Sequence, residues 1–309
     1  MTEIIRKKLS DSAGARWTAL LIVAFTMMMG YFITDVMSPL EVILETSKEQ
    51  GGLGWSSSDY GFFAGSYGLI NVFMLMLFFG GIILDKMGIR FTGVMASGLM
   101  VVGVIIKYFG VTTNFGDSKF TLDFVNFSLP MSAAIASLGF AIFGVGCEIC
   151  GITISKIITK WFTGHELALA MGVQVGLARL GTTAAMAGSL PLAKAFGNHV
   201  SAPILLGLVL LIAGFLAFIV YTVMDKKLDA STGEVTGNVS DEDEGFHFAD
   251  LKFIFTNPGF WCITLLCLMF YSGVFPFLKF ATKLMVDNYN VPQDLAGSLP
   301  GAIPLGTII

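Results

Sequence analysis

Between two long apolar runs the chain reads Gly81-Ile82-Ile83-Leu84-Asp85-Lys86-Met87-Gly88-Ile89-Arg90. A residue without a Cβ tolerates backbone angles closed to others, so Gly88 permits a tight turn. Gly81 allows close approach of two helices, and Asp85 can sit beside the N-terminus of a neighbouring one. Lys86 and Arg90 are the basic pair that holds such a turn on the cytoplasmic side of a membrane. The runs on either side, residues 60–84 and 92–110, are each near the ~20 residues needed to cross a hydrocarbon core. The stretch therefore joins two antiparallel membrane helices.

The pattern repeats outward. Further spanning runs fall at residues 17–37, 131–158, 167–192, 202–223 and 259–285, and an eighth begins at 296–309. Of 309 residues, 55% are hydrophobic and 13% charged, and the mean hydropathy is +0.78. Soluble domains carry roughly 25% charged residues, so this is an all-α polytopic membrane protein. The net charge of −4 rests mostly on loop acids and leaves no basic footprint for nucleic acid. Arg6, Lys7, Lys8 and Arg16 precede the first run, which is too long for a signal-peptide core and reads as a retained span. These residues and the basic turns with Lys86, Arg90 and Lys160 predict a cytoplasmic N-terminus, opposite an acidic loop with Glu41, Glu45, Glu49 and Asp59.

The largest polar stretch, 225–257, contains the acidic run 241–244 and has the composition of a flexible linker. Its aromatic end, 246–255, reads either as a short interfacial helix or as an ordinary loop. The expected organisation is a six-helix bundle over 1–224, a cytoplasmic linker over 225–257 and the start of a second bundle over 258–309. Stopping within the eighth helix, the chain reads as a fragment of a longer protein.

Two ionisable residues sit deep in apolar runs, Glu148 and Arg179. Intramembrane charge is costly and points to function. Counting ten residues back from the inner end of span four and twelve forward from that of span five places them about 15 and 18 Å into the core, near its middle. Gly144, Glu148, Gly151 and Ser155 share one helical face, as do Gly172, Gly176, Arg179 and Thr183. A carboxylate facing a guanidinium suits a solute carrying both an amine and a carboxylate. It equally suits a buried ion pair locking the two helices, and Gly172-x-x-x-Gly176 is also a packing pattern.

The stretch 81–90, placed between the second and third spans, resembles the signature loop of the major facilitator superfamily, although Phe91 stands where that family ends its motif on arginine. The resemblance implies twelve helices in two bundles with a substrate site between them, of which this chain supplies the first bundle and part of the second. Ala178-Arg179-Leu180-Gly181-Thr182-Thr183 and Phe270-Tyr271-Ser272-Gly273-Val274-Phe275-Pro276-Phe277 are similar to the branch containing a lysosomal dipeptide uniporter and its prokaryotic relatives. That branch implies that Glu148 and Arg179 engage the charged ends of a dipeptide.

Other candidates carry two readings each. Asp35, with Tyr31 on its face of span one, could titrate and couple protons or simply be interfacial. Tyr67 and Asn71 share a face of span two and could bond a substrate or another helix. Phe275-Pro276-Phe277 is expected to break or kink span seven, with Tyr271 one turn away at the same cavity. Lys107, Lys156, Lys279 and Lys283 lie toward span ends and are expected to snorkel. Cys147-x-x-Cys150 lacks a second ligand pair and reads as small apolar residues, so neither metal nor cofactor is expected. No phosphate-binding glycine loop, nucleophile–base set or buried histidine relay emerges, which argues against ATP-driven transport and against an enzyme. The combined expectation is a transporter of a small zwitterionic solute, dipeptide or amino acid, working by alternating access in a lipid bilayer. An organic-anion transporter and a non-transporting receptor or scaffold are the rivals, and a coupling proton stays open. With no acidic dileucine signal and only short loops, a cell inner (plasma) membrane is favoured over a lysosomal one.

Overall fold

Inside a bilayer the backbone must satisfy its own hydrogen bonds, and helices do this within a single segment. The computed structural model describes residues 9–123, 127–232 and 250–308, among which six helices are long and apolar enough to span a membrane. In chain order the helices are α1 (Ala13–Asp35), α2 (Glu41–Glu45), α3 (Ser57–Phe73), α4 (Met76–Thr112), α5 (Met131–Phe162), α6 (Leu167–Ala195), α7 (Ser201–Thr232), α8 (Asp250–Thr256), α9 (Pro258–Tyr289), α10 (Gln293–Ala296) and α11 (Ser298–Gly306). Arg6, Lys7, Lys8 and the acidic run 241–244 lie outside the described residues.

The turn at Gly88 folds as its sequence predicts. At about 1.5 Å per residue an uninterrupted α4 would be far longer than a ~30 Å core. Gly88 leaves helical geometry at φ 77°, ψ 170° and divides it into two arms. Neighbours along α5 show that the arms are antiparallel. Gly80 and Asp85 lie against Ile149 and Lys156 in ascending order, whereas Gly103 and Lys107 lie against Phe143 and Gly139 in descending order. We refer below to the Gly88 side as the turn end of the bundle.

The second span departs from expectation. A Ser56–Asp59 capping box starts α3, with the Ser56 amide donating to the carboxylate at 2.8 Å. The helix then stops at Phe73, and Leu75 adopts left-handed angles (φ 49°, ψ 40°) before α4 begins. A left-handed non-glycine residue costs about 1–2 kcal/mol, and neither glycine nor proline in the local sequence announces it. At the opposite, hairpin end, strands β1 (Lys119–Leu122) and β2 (Phe127–Pro130) form an antiparallel ribbon with Phe120 opposite Leu129, a feature absent from the sequence reading.

Two further boundaries shift. The sixth span continues past Val223 to Thr232, so Asp225 and Asp229 belong to α7 and not to the expected linker. Of the stretch 246–255, read as an interfacial helix or a loop, residues 246–249 lie outside the described residues and the remainder is helical as α8. The eighth span opens as α10 and α11.

Helices α4 and α5 form the most extensive seam. A Cβ on Gly103 would lie 2.4 Å from the Phe143 amide nitrogen, and one on Gly139 would lie 2.4 Å from that of Lys107. Small residues here let backbones touch, which is how helices gain packing where apolar burial offers no advantage over lipid.

Candidate functional site

The α3–α5 contact positions the carboxylate. Gly144 brings α5 against the backbone of Tyr67, and one helical turn further the Tyr67 hydroxyl donates to Glu148 Oε1 at 2.7 Å. Asn71 donates to the Tyr67 carbonyl at 3.3 Å, while its own Oδ1 is buried with no hydrogen-bond partner. Glu148 is half-buried, so one edge of the carboxylate is held and the other stays open.

The α1–α6 contact positions the guanidinium. Gly181 lies against the Met28 carbonyl, close enough that a Cβ would sit 2.1 Å away. Arg179 then comes over the ring of Tyr31 at 5.9 Å, a cation–π arrangement. Arg179 of α6, Glu148 of α5 and Tyr271 of α9 each lie within electrostatic reach of Tyr31. Among the described residues no ion pair joins Glu148 to Arg179. A Cβ on Gly172 would meet nothing within 4 Å and one on Gly176 only Ile308 at 3.7 Å, so among the described residues this glycine stripe presses on no neighbouring backbone.

Span seven contributes Tyr271 and Phe275, stacked at 5.1 Å and both substantially exposed. Of the break or kink expected at Pro276, the break does not occur: α9 continues through it. Toward the hairpin end Asp35 closes α1 as a buried side chain. It pairs with Lys279 of α9 at 2.7 Å, with side-chain exposures of 8% and 12%. Lys283 pairs with Glu45, and the Tyr60 hydroxyl donates to the Lys279 carbonyl at 3.1 Å. Lys107 does not snorkel either. It is fully buried, donates to the Ile33 carbonyl at 3.1 Å and faces the Phe140 ring at 4.5 Å. Thr183 of α6 donates to the Gly301 carbonyl of α11 at 3.2 Å.

At the turn end the charges organise differently. Arg90 Nε donates to Asp225 at 2.7 Å and the guanidinium also pairs with Asp229. Lys160 reaches the same two carboxylates at 2.9 and 2.8 Å, and Trp161 Nε1 and the Tyr221 hydroxyl complete the shell of Asp225 at 3.2 Å each. Asp85 does not cap a helix. It pairs with Lys156 at 2.7 Å with both side chains half-exposed, and Lys86 is exposed. Close helix approach falls to Gly80, where a Cβ would lie 2.6 Å from Ile149, while a Cβ on Gly81 would meet nothing within 4 Å. Arg16 of α1 donates to Glu166 at 3.1 Å. The Glu166 backbone amide, and then Arg16, hold that carboxyl below its ordinary range. Sequence reasoning missed Asp225 and Asp229 because they end a hydrophobic run, where charge usually marks a boundary.

Among the described residues no group of three His, Cys, Asp or Glu side chains is placed to hold a metal ion, and Cys147 and Cys150 are buried and free. Comparison with known proteins gives a consistent set. The sequence profile of the Major Facilitator Superfamily matches residues 20–309. The chain is 25% identical over 229 residues to the lysosomal dipeptide transporter MFSD1 of Danio rerio, covering 70% of this chain and 44% of that protein. It is 21% identical over 297 residues to the Bos taurus protein of the same name (93% of this chain, 57% of the relative). For the Homo sapiens protein the identity is 22% over 239 residues (74% and 47%). The chain thus spans about half the length of the curated relatives it matches.

Proposed function

The chain belongs to the Major Facilitator Superfamily, and on that premise we propose that its protein carries a small zwitterionic solute, a dipeptide or amino acid, across the membrane by alternating access. The observation that supports this reading is that Glu148 and Arg179 are not paired with each other and each rests on a tyrosine. Glu148 is oriented by Tyr67 and Arg179 by Tyr31. Arg179 binds the solute carboxylate through its planar fork, and Glu148 takes the amine. The open edge of Glu148 and the unpartnered Oδ1 of Asn71 supply acceptors for ammonium and backbone N–H donors. In this reading Tyr271 and Phe275 of α9 face the solute from the second bundle.

The helices α1 to α7 form the first bundle in this reading, and the turn end with Arg90, Lys86, Lys156 and Lys160 faces the cytoplasm of a cell inner (plasma) membrane. The name of the relatives supports dipeptides as the solute class. A purely anionic solute is disfavoured because Glu148 would repel it, and a closed structural lock is disfavoured because the pair is not made.

Uptake of labelled dipeptides by the full-length protein in liposomes tests the assignment. Glu148→Gln and Arg179→Ala each remove one charge-assisted contact of about 1.5–3 kcal/mol, which is roughly tenfold to a hundredfold in apparent affinity. Normal uptake in either variant, at equal folded yield, would overturn the site.

A further inference from the structure

At the hairpin end the 3-10 turn Ser38–Leu40 and α2 pack against α9. Glu41 in this contact is fully buried, and neither of its carboxyl oxygens has a hydrogen-bond partner. The buried hydroxyls of Ser38 and Thr282 are also without partners. The charged and titratable groups packed around Glu41 come from every neighbouring element. Asp35 on α1 is committed to Lys279 of α9. Glu45 on α2 is committed to Lys283, which also donates to Ser57 of α3. Asp287 of α9 is exposed, Tyr60 of α3 donates to the Lys279 backbone, and Lys107 of α4 lies beyond Asp35 against Phe140. Both α9 lysines are therefore spoken for, and Glu41 is one acid more than this interface can neutralise.

A buried carboxylate without a donor or counter-charge is strongly disfavoured, whereas the neutral acid needs only an acceptor for its O–H. We propose that Glu41 is a proton-binding site, and that the hairpin end closes against α9 only while Glu41 carries the proton. When α2 and α9 part, water reaches the carboxyl and the proton leaves. Proton binding and closure then promote each other to the same degree. A solute that favours the closed hairpin end takes up one proton with it, a consequence that rests on the alternating-access reading above.

The test uses the full-length protein in nanodiscs with Cys262→Ser and Cys267→Ser, and spin labels at Glu49→Cys and Tyr289→Cys across the contact. With no solute added, the wild-type label distance lengthens as pH rises, following a one-proton transition. Glu41→Gln stays short at every pH and loses the infrared carbonyl band of a buried protonated carboxyl. Glu45→Gln frees Lys283 to pair with Glu41, so it also stays short and loses that band. Opening of Glu41→Gln with pH as in wild type, or an unchanged carbonyl band, overturns the proposal. If Glu41→Gln does not fold, a wild-type pH response in Glu45→Gln overturns it alone. A protein that titrates this way but carries no solute would retire the transport reading and leave the proton site standing. One that transports without the titration would do the reverse.

Discussion

The two ends of the bundle hold their charges in opposite ways. At the turn end Arg90, Lys160, Asp225 and Asp229 all belong to α4, α5 and α7 of the first six spans, and Asp225 is wholly enclosed by them. At the hairpin end the ion pairs run from α1 and α2 to α9, from the first set of spans to the seventh. The first arrangement cements one body, because no rigid-body movement of α9 strains it. The second has to break whenever α9 moves away from α1. The difference assigns stability to one end and conformational control to the other.

Breaking the cemented end has the largest expected effect. Asp225→Ala strips acceptors from Arg90, Lys160, Trp161 and Tyr221 at once. Removing one partner of a buried network costs about 3–5 kcal/mol, and here the lower figure applies because Arg90 and Lys160 are partly exposed and keep Asp229. Thermal unfolding should show the loss, with little change in the open-to-closed balance at the hairpin end. Next comes the seam between the two ends. Gly103→Ala drives a methyl into the α5 backbone and should cost about 1–3 kcal/mol in the same assay. At the hairpin end Asp35→Asn leaves Lys279 buried without its counter-ion only in the closed form. It should shift the balance toward open by roughly tenfold, about 1.4 kcal/mol, while the melting transition of the first six spans barely moves. Label distances across α2 and α9 check this, and the double variant Asp35→Asn with Lys279→Met should restore closure. The smallest effect belongs to the half-exposed Asp85–Lys156 pair, where Lys156→Met should change stability by less than about 1 kcal/mol. A large effect there would blur the contrast between enclosed and exposed charge at the same end.

Much of this was legible in the chain itself. The Gly88 turn and most of the membrane spans follow from run length, rise per residue and one glycine. What escaped depends on partners distant in sequence. Lys107 looks like a snorkelling lysine until Phe140 and the Ile33 carbonyl surround it, and Glu41 looks like a loop acid until α9 covers it. Asp225 closes a hydrophobic run, and only Arg90 and Lys160 make it interior. The break at Leu75 has no local signature, since neither glycine nor proline marks it. Hydropathy counts the cost of a buried charge but is blind to the group that offsets it.

The central claim is that Glu148 and Arg179 each hold one end of the same solute. A binding cycle tests it directly: a dipeptide, its N-acetylated form and its C-amidated form are titrated against wild type, Glu148→Gln and Arg179→Ala. N-acetylation should weaken binding to wild type by tenfold or more, about 1.4 kcal/mol, yet matter little to Glu148→Gln, and C-amidation should behave likewise toward Arg179→Ala. Equal losses from each blocking group in wild type and in its matched variant would contradict the account.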